Sequence, residues 1–300
     1  MSAFLPSPLR WPAEAIWEAL APVLPGFTVE VLPEIDSTNT ELMRRFRGSA
    51  STRPRPEPLL LVAEQQTAGR GRLGRSWQSR RGDSLTFSLG LPLQPSDWSG
   101  LSLVVGISVA ESLDPGNTGP ARIGLKWPND LWLSGPSGDR KLAGILVETA
   151  SWEGIRFVVI GIGINIRALP LAAVSALATP SMATPSVAAI PPGGLQELLP
   201  SIDAAQTLLR ILPPLVQAVQ AFEQFGFAPF QNRFAARDVL SGRTIELSDG
   251  TQGRAQGVGE NGALLVHTAA GMKEITSSEV SVRPVSEGDP ATVLKDPRPC

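Results

Sequence analysis

Along the chain, apolar positions alternate between helical and strand spacing. Ile16, Trp17, Leu20 and Val23 recur at helical intervals behind Pro12, which predicts a short helix within residues 11–24 that opens on proline. Phe27 to Leu32 reads as a strand. In EIDSTNTELMRRF, Thr38 is followed three residues later by Glu41, a capping-box pattern that opens a second helix. Arg47 to Pro58 reads as a Pro- and Arg-containing surface loop. Leu59 to Ala63 is a continuous apolar run, predicting a buried strand, whereas Ser84 to Leu91 alternates Leu85, Phe87, Leu89 and Leu91 with small or polar residues, the pattern of a half-buried strand. Leu101 to Leu113 predicts an apolar helix packed on the sheet. Further strands are expected around Ile123–Trp127, Leu142–Thr149 and Ile155–Ile164. The Gly/Ser-rich SGPSGDR between the first two favours antiparallel neighbours.

Residues 168–200 are biased to Ala, Pro, Ser and Thr without a strong period, and are expected to form a mobile insertion. Helical spacing returns from Ala204 to Phe225, where Pro213 and Pro214 should break or kink the helix and Gly226 should end it. From Arg243 the texture changes to short strands separated by Asp249-Gly250, Asn261-Gly262 and Ala270-Gly271, turn chemistry suited to tight hairpins and a small antiparallel barrel. Residues 286–300 read as a disordered tail. The expected organisation is therefore one large domain over 1–235, a small one over 236–285, and the tail.

Composition narrows the chemistry. Three hundred residues with 42% hydrophobic content can bury a sizeable core. A net charge of -2 and a pI of about 5.6 give no overall reason to expect a long polyanion as partner. The N-terminus lacks a signal-peptide pattern and no run reaches the length of an apolar membrane span, so a cytoplasmic protein without a membrane partner is expected. One cysteine, Cys300, and one histidine, His267, exclude disulfide frameworks and Cys/His metal sites. His267 lies in ALLVHTA and reads as a strand residue. Only four of the 26 basic residues are lysines, so Lys126 and Lys141, which sit inside motifs, mark places where a compact charge is wanted.

The densest motif is EQQTAGRGRLGRSW, residues 64–77. Its glycines let a ligand approach the main chain, its arginines grip phosphate or carboxylate through paired donors, and Trp77 offers a stacking face. A disordered Gly-Arg tract that binds nucleic acid shares that composition. Ser37, Thr38 and Asn39 could cap a helix or present its free N–H groups to a polar ligand. LKWPNDLW places Lys126, Asn129 and Asp130 around Pro128, which is also good turn chemistry. RKLAGILVE puts Lys141 at the head of a strand. VIGIGINI has Gly161 and Gly163 inside a strand, as expected where something lies flat against the backbone.

In that order, GRGRLGRSW, KWPNDL, KLAGILVE and GIGIN resemble the catalytic domain of biotin protein ligases, and DSTNTE at 36–41 matches that family's biotin-loop region. The C-terminal segment resembles the family's SH3-like domain, and the resemblance spans roughly residues 27–285. It implies an α+β fold with a mixed, largely antiparallel sheet packed by helices. It also implies an ATP-dependent ligase that makes biotinyl-5′-AMP, with Mg²⁺ accompanying ATP, and transfers biotin to a lysine of a biotin carboxyl carrier protein.

Carried over by position, Ser37, Thr38, Asn39, Gln66, Gly69, Arg70, Gly71, Arg72, Lys141, Gly161 and Gly163 would bind biotin, the last two as a floor beneath its rings. Arg72, Arg75, Trp77, Asn129, Lys141 and Asn165 would serve the nucleotide. Lys141, Arg70, Arg72, Lys126 and Asp130 would carry the chemistry, with Asp130 orienting a lysine or the incoming amine. About 26 residues precede the first matched strand, too few for the DNA-binding domain of some family members, so no DNA partner is expected; a homodimer through the catalytic sheet stays open. The insertion at 168–200 is outside the family pattern. A lipoate or octanoate ligase or transferase of related fold is the principal alternative, and a non-catalytic nucleic-acid-binding protein a remote one, disfavoured by the mixed charges over 243–283.

Overall fold

The computed structural model describes residues 9–47, 55–116, 121–135, 138–168, 192–276 and 282–284. Most of the stretch expected to be an insertion, part of the 47–58 loop and all of the 286–300 tail lie outside these residues. Seven strands, β1 (Thr28–Leu32), β2 (Leu59–Ala63), β3 (Ser84–Pro92), β4 (Ile123–Lys126), β5 (Asp130–Leu133), β6 (Arg140–Trp152) and β7 (Ile155–Asn165), form one sheet in the order β1-β2-β3-β7-β6-β5-β4. Only β1 and β2 run parallel; the other neighbours are antiparallel. Four helices of the same unit are α1 (Ala13–Leu20), α2 (Thr38–Arg45), α3 (Leu101–Leu113) and α4 (Ala204–Phe225).

The two faces of the sheet differ. On one, Leu85, Phe87, Leu89, Leu91, Val158, Ile160, Ile162 and Ile164 join the core formed with α1, α3 and α4. On the other, α2 packs Leu42, Met43 and Phe46 against Phe157 and Val159. Gly90 makes that approach possible, because a Cβ there would come within 2.0 Å of the Phe46 ring. At the N-terminal end of α2, this face has Thr86 and Ser88 on β3, Gly161 and Gly163 on β7, and Gly144 and Leu146 on β6, cross-strand neighbours by register. The small residues leave a hollow there.

Several local expectations require correction. In α1, Ile16 and Leu20 are buried but Trp17 is exposed, and the helix ends at Leu20, before the exposed Val23, so the apolar stripe is narrower and shorter than the spacing suggests. The N-cap of α2 is Ser37, whose side chain accepts the Thr40 N–H at 3.3 Å; Thr38 is the first helical residue, and Glu41 pairs with Arg44 and Arg45. Strand β5 was unexpected: Asp130–Leu133 folds back on β4 across the turn read at Pro128 and pairs on its other side with β6, so the strands around Ile123 and Leu142, expected to be antiparallel neighbours, are separated by it. Helix α4 runs through Pro213 and Pro214. Leu208, Ile211, Leu212, Leu215, Val216, Val219 and Phe222 are all buried along it, and this packing outweighs the hydrogen bonds the prolines forfeit. Residues 192–200, assigned to the insertion, join the fold instead. Leu195 is fully buried, the Gly193 N–H donates to the Lys141 carbonyl at 2.8 Å, and Glu197 pairs with Arg140.

After a short helix α5 (Gln231–Ala235), strands β8 (Thr244–Leu247), β9 (Gln252–Val258), β10 (Leu264–Thr268), β11 (Gly271–Ile275) and β12 (Val282–Pro284) build a second antiparallel sheet, ordered β11-β10-β9-β8-β12. His267 lies on β10, the strand residue its apolar run predicted, and its side chain is exposed. The two sheets are tied together. Leu125 at the edge of β4 exchanges backbone hydrogen bonds with Arg237 and Val239, and the buried Trp127 indole donates to the Gly262 carbonyl at 3.0 Å. Among the described residues no helix is long and apolar enough to cross a membrane.

Candidate active site

The hollow is closed on one side by the N-terminus of α2 and on the other by the Gly-Arg loop. Its lining includes Ser37, Thr38, Asn39, Gln66, Arg70, Gly71, Arg72, Leu73, Arg75, Trp77, Lys126, Asn129, Asp130, Lys141, Gly144, Gly161 and Gly163. Sequence motifs separated by more than a hundred residues thus converge on one cleft.

At the α2 end, Gln66 Oε1 accepts from the Thr38 backbone N–H at 2.8 Å and from its hydroxyl at 3.1 Å. Ser88, fully buried on β3, has its hydroxyl 2.8 Å from Thr38 Oγ1 and 2.6 Å from Asn39 Oδ1. The Asn39 amide donates to the Leu146 carbonyl at 3.2 Å and to Glu148 at 3.0 Å. A Cβ on Gly161 would stand 2.0 Å from Asn39 Oδ1. The close approach that Gly161 permits is therefore made by Asn39.

The Gly-Arg loop folds back on itself. Gly69 and Trp77 bond at 2.8 Å, Gly71 and Arg75 at 2.7 Å, and a Cβ on Gly69 would meet the Trp77 carbonyl at 2.4 Å. Gly69 thus shapes the loop and does not line the cleft. Leu73, at φ +55°, holds a left-handed turn between Arg72 and Arg75 and is exposed. The Trp77 indole lies over Gly163, whose absent Cβ would be 2.3 Å from the ring, and its buried N–H has no acceptor among the described residues.

The charged groups face one another across the cleft. Lys141 Nζ lies 2.7 Å from Asp130 Oδ1 and 5.9 Å from the centroid of the Trp77 ring. Lys126 stands over the Trp132 ring at 5.3 Å. Arg72 reaches Asn129 Oδ1 at 3.4 Å, and Asn129 is itself fixed by donating to the Ile145 carbonyl at 2.7 Å. Burial is the largest influence on Arg72 and lowers its pKa; Asp130 opposes that and neighbouring Arg75 adds to it. A guanidinium starting so high stays charged at neutral pH, so Arg72 is a partly desolvated cation, poised for an anion. Arg70 bonds Thr40 at 3.4 Å and Glu148 at 3.4 Å. Asn165 is buried outside the lining and donates to the Lys141 carbonyl at 3.3 Å. It supports the strand end that carries Lys141.

Sequence reasoning gave no role to Ser88 or Glu148. Ser88 was one of the small residues in an alternating strand. Glu148 closes the KLAGILVE motif, and a carboxylate among ILV residues of a strand was the signal available.

The hollow gathers Lys126, Lys141, Arg70, Arg72 and Arg75 beside the N-terminal end of α2, a cationic cleft suited to anionic ligands. The biotin/lipoate A/B protein ligase family model matches residues 31–165, and the biotin protein ligase C-terminal domain model matches 240–283. The chain is 35% identical to the bifunctional ligase/repressor BirA of Escherichia coli over 87% of its own length and 75% of that protein's. It is 32% identical to the biotin–[acetyl-CoA-carboxylase] ligase of Paracoccus denitrificans over 83% and 98%. The solved biotin protein ligase of Aquifex aeolicus in complex with biotin and ATP superimposes with a TM-score of 0.66 at 29% identity, covering 86% of this chain and 99% of that one. The chain belongs to the biotin protein ligase family.

Proposed function

We propose that this chain is an ATP-dependent biotin protein ligase, and that the Lys141 cleft is where both half-reactions occur. In the first, a biotin carboxylate oxygen attacks the α-phosphorus of ATP, giving biotinyl-5′-AMP with pyrophosphate as leaving group. In the second, the ε-amine of a carrier-protein lysine attacks the carbonyl carbon of this mixed anhydride, AMP departs and an amide forms. The observation that carries the reading is the convergence of Lys141, Arg70, Arg72 and Arg75 on a glycine-floored hollow beside the α2 N-terminus. Bringing a carboxylate onto a triphosphate sets anions against each other, and preorganised cations offset that repulsion.

In this reading Ser37, Thr38 and Gln66 hold the ureido end of biotin, with Asn39 as wall above Gly161. Lys141 lies between the carboxylate and the α-phosphate, Arg70 and Arg72 close over them, and Arg75, Trp77 and Asn129 meet the nucleotide. Asp130, paired with Lys141, is placed to orient it and then to receive the proton of the incoming amine. Mg²⁺ is expected to arrive with ATP, held mostly by phosphate and water oxygens; among the described residues no three His, Cys, Asp or Glu side chains gather to hold a metal. Residues 1–235 form the catalytic unit and 236–285 the smaller domain. The test is intact-mass analysis of a biotin carboxyl carrier domain incubated with the protein, biotin, ATP and Mg²⁺. One added biotinyl group, absent when the acceptor lysine is Arg, is the expected result; an unmodified acceptor contradicts it.

A further inference from the structure

Glu148 is the carboxylate that the two half-reactions leave unused. It lies on β6 opposite Val159, at the border where the apolar packing under α2 gives way to the hollow. Its side chain is only 22% exposed. Both of its partners are residues of the site: the Asn39 amide at 3.0 Å and the Arg70 guanidinium at 3.4 Å. Arg70 comes from the Gly-Arg loop, and its other contact, Thr40, lies on α2. Asn39 is in turn held by Ser88 and Leu146. A continuous run of hydrogen bonds therefore leads from β3 through α2 and β6 to the loop.

Loops rich in glycine lose much conformational freedom when they order. An arginine that must meet a carboxylate or phosphate costs less to position if its guanidinium is already held near the cleft. Glu148 supplies that hold from a rigid strand, two residues beyond Leu146 of the lining. Its two oxygens divide the work, Oε2 toward Asn39 and Oε1 toward Arg70. A neutral amide at 148 keeps an acceptor for Asn39 but loses the charge that attracts Arg70.

We propose that Glu148 is a positioning residue for biotin activation, tethering Arg70 of the Gly-Arg loop over the cleft before ligand arrives. The proposal rests on the ligase reading for its catalytic consequence; the tether itself is a property of the free protein. The test is a double-mutant cycle of Glu148→Gln and Arg70→Ala, read by biotin-dependent ATP–pyrophosphate exchange, together with trypsin cleavage after Arg70 in the ligand-free protein. A half-exposed ion pair sets the scale: Glu148→Gln should lower kcat/KM for biotin about fivefold alone, and less than twofold when Arg70 is already Ala. It should also speed cleavage after Arg70 severalfold, with the melting temperature unchanged. If Arg70→Ala leaves too little exchange, equilibrium biotin binding supplies the same cycle. Equal losses in both backgrounds, or no loss in either, overturn the proposal. A wild-type protein that exchanges with no acid removes the ligase reading. Cleavage after Arg70 then decides the tether alone, and an unchanged rate in Glu148→Gln sinks it.

Discussion

Lys141 Nζ and Asp130 Oδ1 lie 2.7 Å apart across neighbouring strands, with the Trp77 ring beside the ammonium. The lysine is thus held at the mouth of the cleft before any anion is bound. Replacing it by Ala removes the charge at the proposed reaction centre, and a loss of roughly 10²–10³ in exchange rate is expected. Lys141→Arg should not restore it, because a planar fork cannot replace a point charge at that spot. Steady-state exchange kinetics of the two variants check this.

The glycines of β7 are occupied by side chains, which makes their substitution selective. Gly161→Ala pushes on Asn39, and Gly163→Ala on Trp77. Overpacking of this kind costs about 1–3 kcal/mol where the neighbours cannot yield. Gly161→Ala should raise the Kd for biotin, and Gly163→Ala should shift the Trp77 fluorescence of the free protein. Calorimetric titration and emission spectra separate the two.

Trp127 joins the sheets. It is fully buried, donates to the Gly262 carbonyl, and sits between Lys126 and the Pro128–Asn129–Asp130 turn. Trp127→Ala should destabilise the protein by about 3–5 kcal/mol. Trp127→Phe should cost less, chiefly the hydrogen bond. Urea unfolding followed by circular dichroism measures both.

Glu197 anchors residues 192–199 near Lys141. Burial pushes its pKa up most strongly as a single influence, but the Arg140 bond, the Gly194 N–H and the Arg140 and Arg122 charges together outweigh burial and leave it below its ordinary 4.5. A carboxyl with a lowered folded pKa stabilises the fold above its unfolded value and loses that contribution as pH falls through the folded value. Wild type should therefore exceed Glu197→Gln in urea midpoint at pH 7, and the gap should shrink progressively as pH falls below the unfolded glutamate value of about 4.3.

The sheet strands were legible as strands because apolar runs mark buried backbone, but the alternation in Ser84–Leu91 predicted a half-buried strand and both of its faces are buried. Strand β5 was not, since DLWL is four residues long and follows a proline turn. The α4 prolines misled because local cost was visible in the sequence and the compensating packing was not. In the site, motifs identified which residues gather but not what each touches. Asn165 and Gly69 act behind the surface, on the Lys141 carbonyl and the Trp77 backbone. The contacts of Glu148 and Ser88 depend on cross-strand register, which no linear motif contains.

The most direct measurement is ATP–pyrophosphate exchange by the purified protein with Mg²⁺, offered biotin, lipoate or octanoate in turn, with Lys141→Ala alongside. Exchange with biotin alone, lost in the variant, is the predicted result. Exchange driven by lipoate or octanoate and not by biotin, or none with any acid from folded protein, would contradict the account.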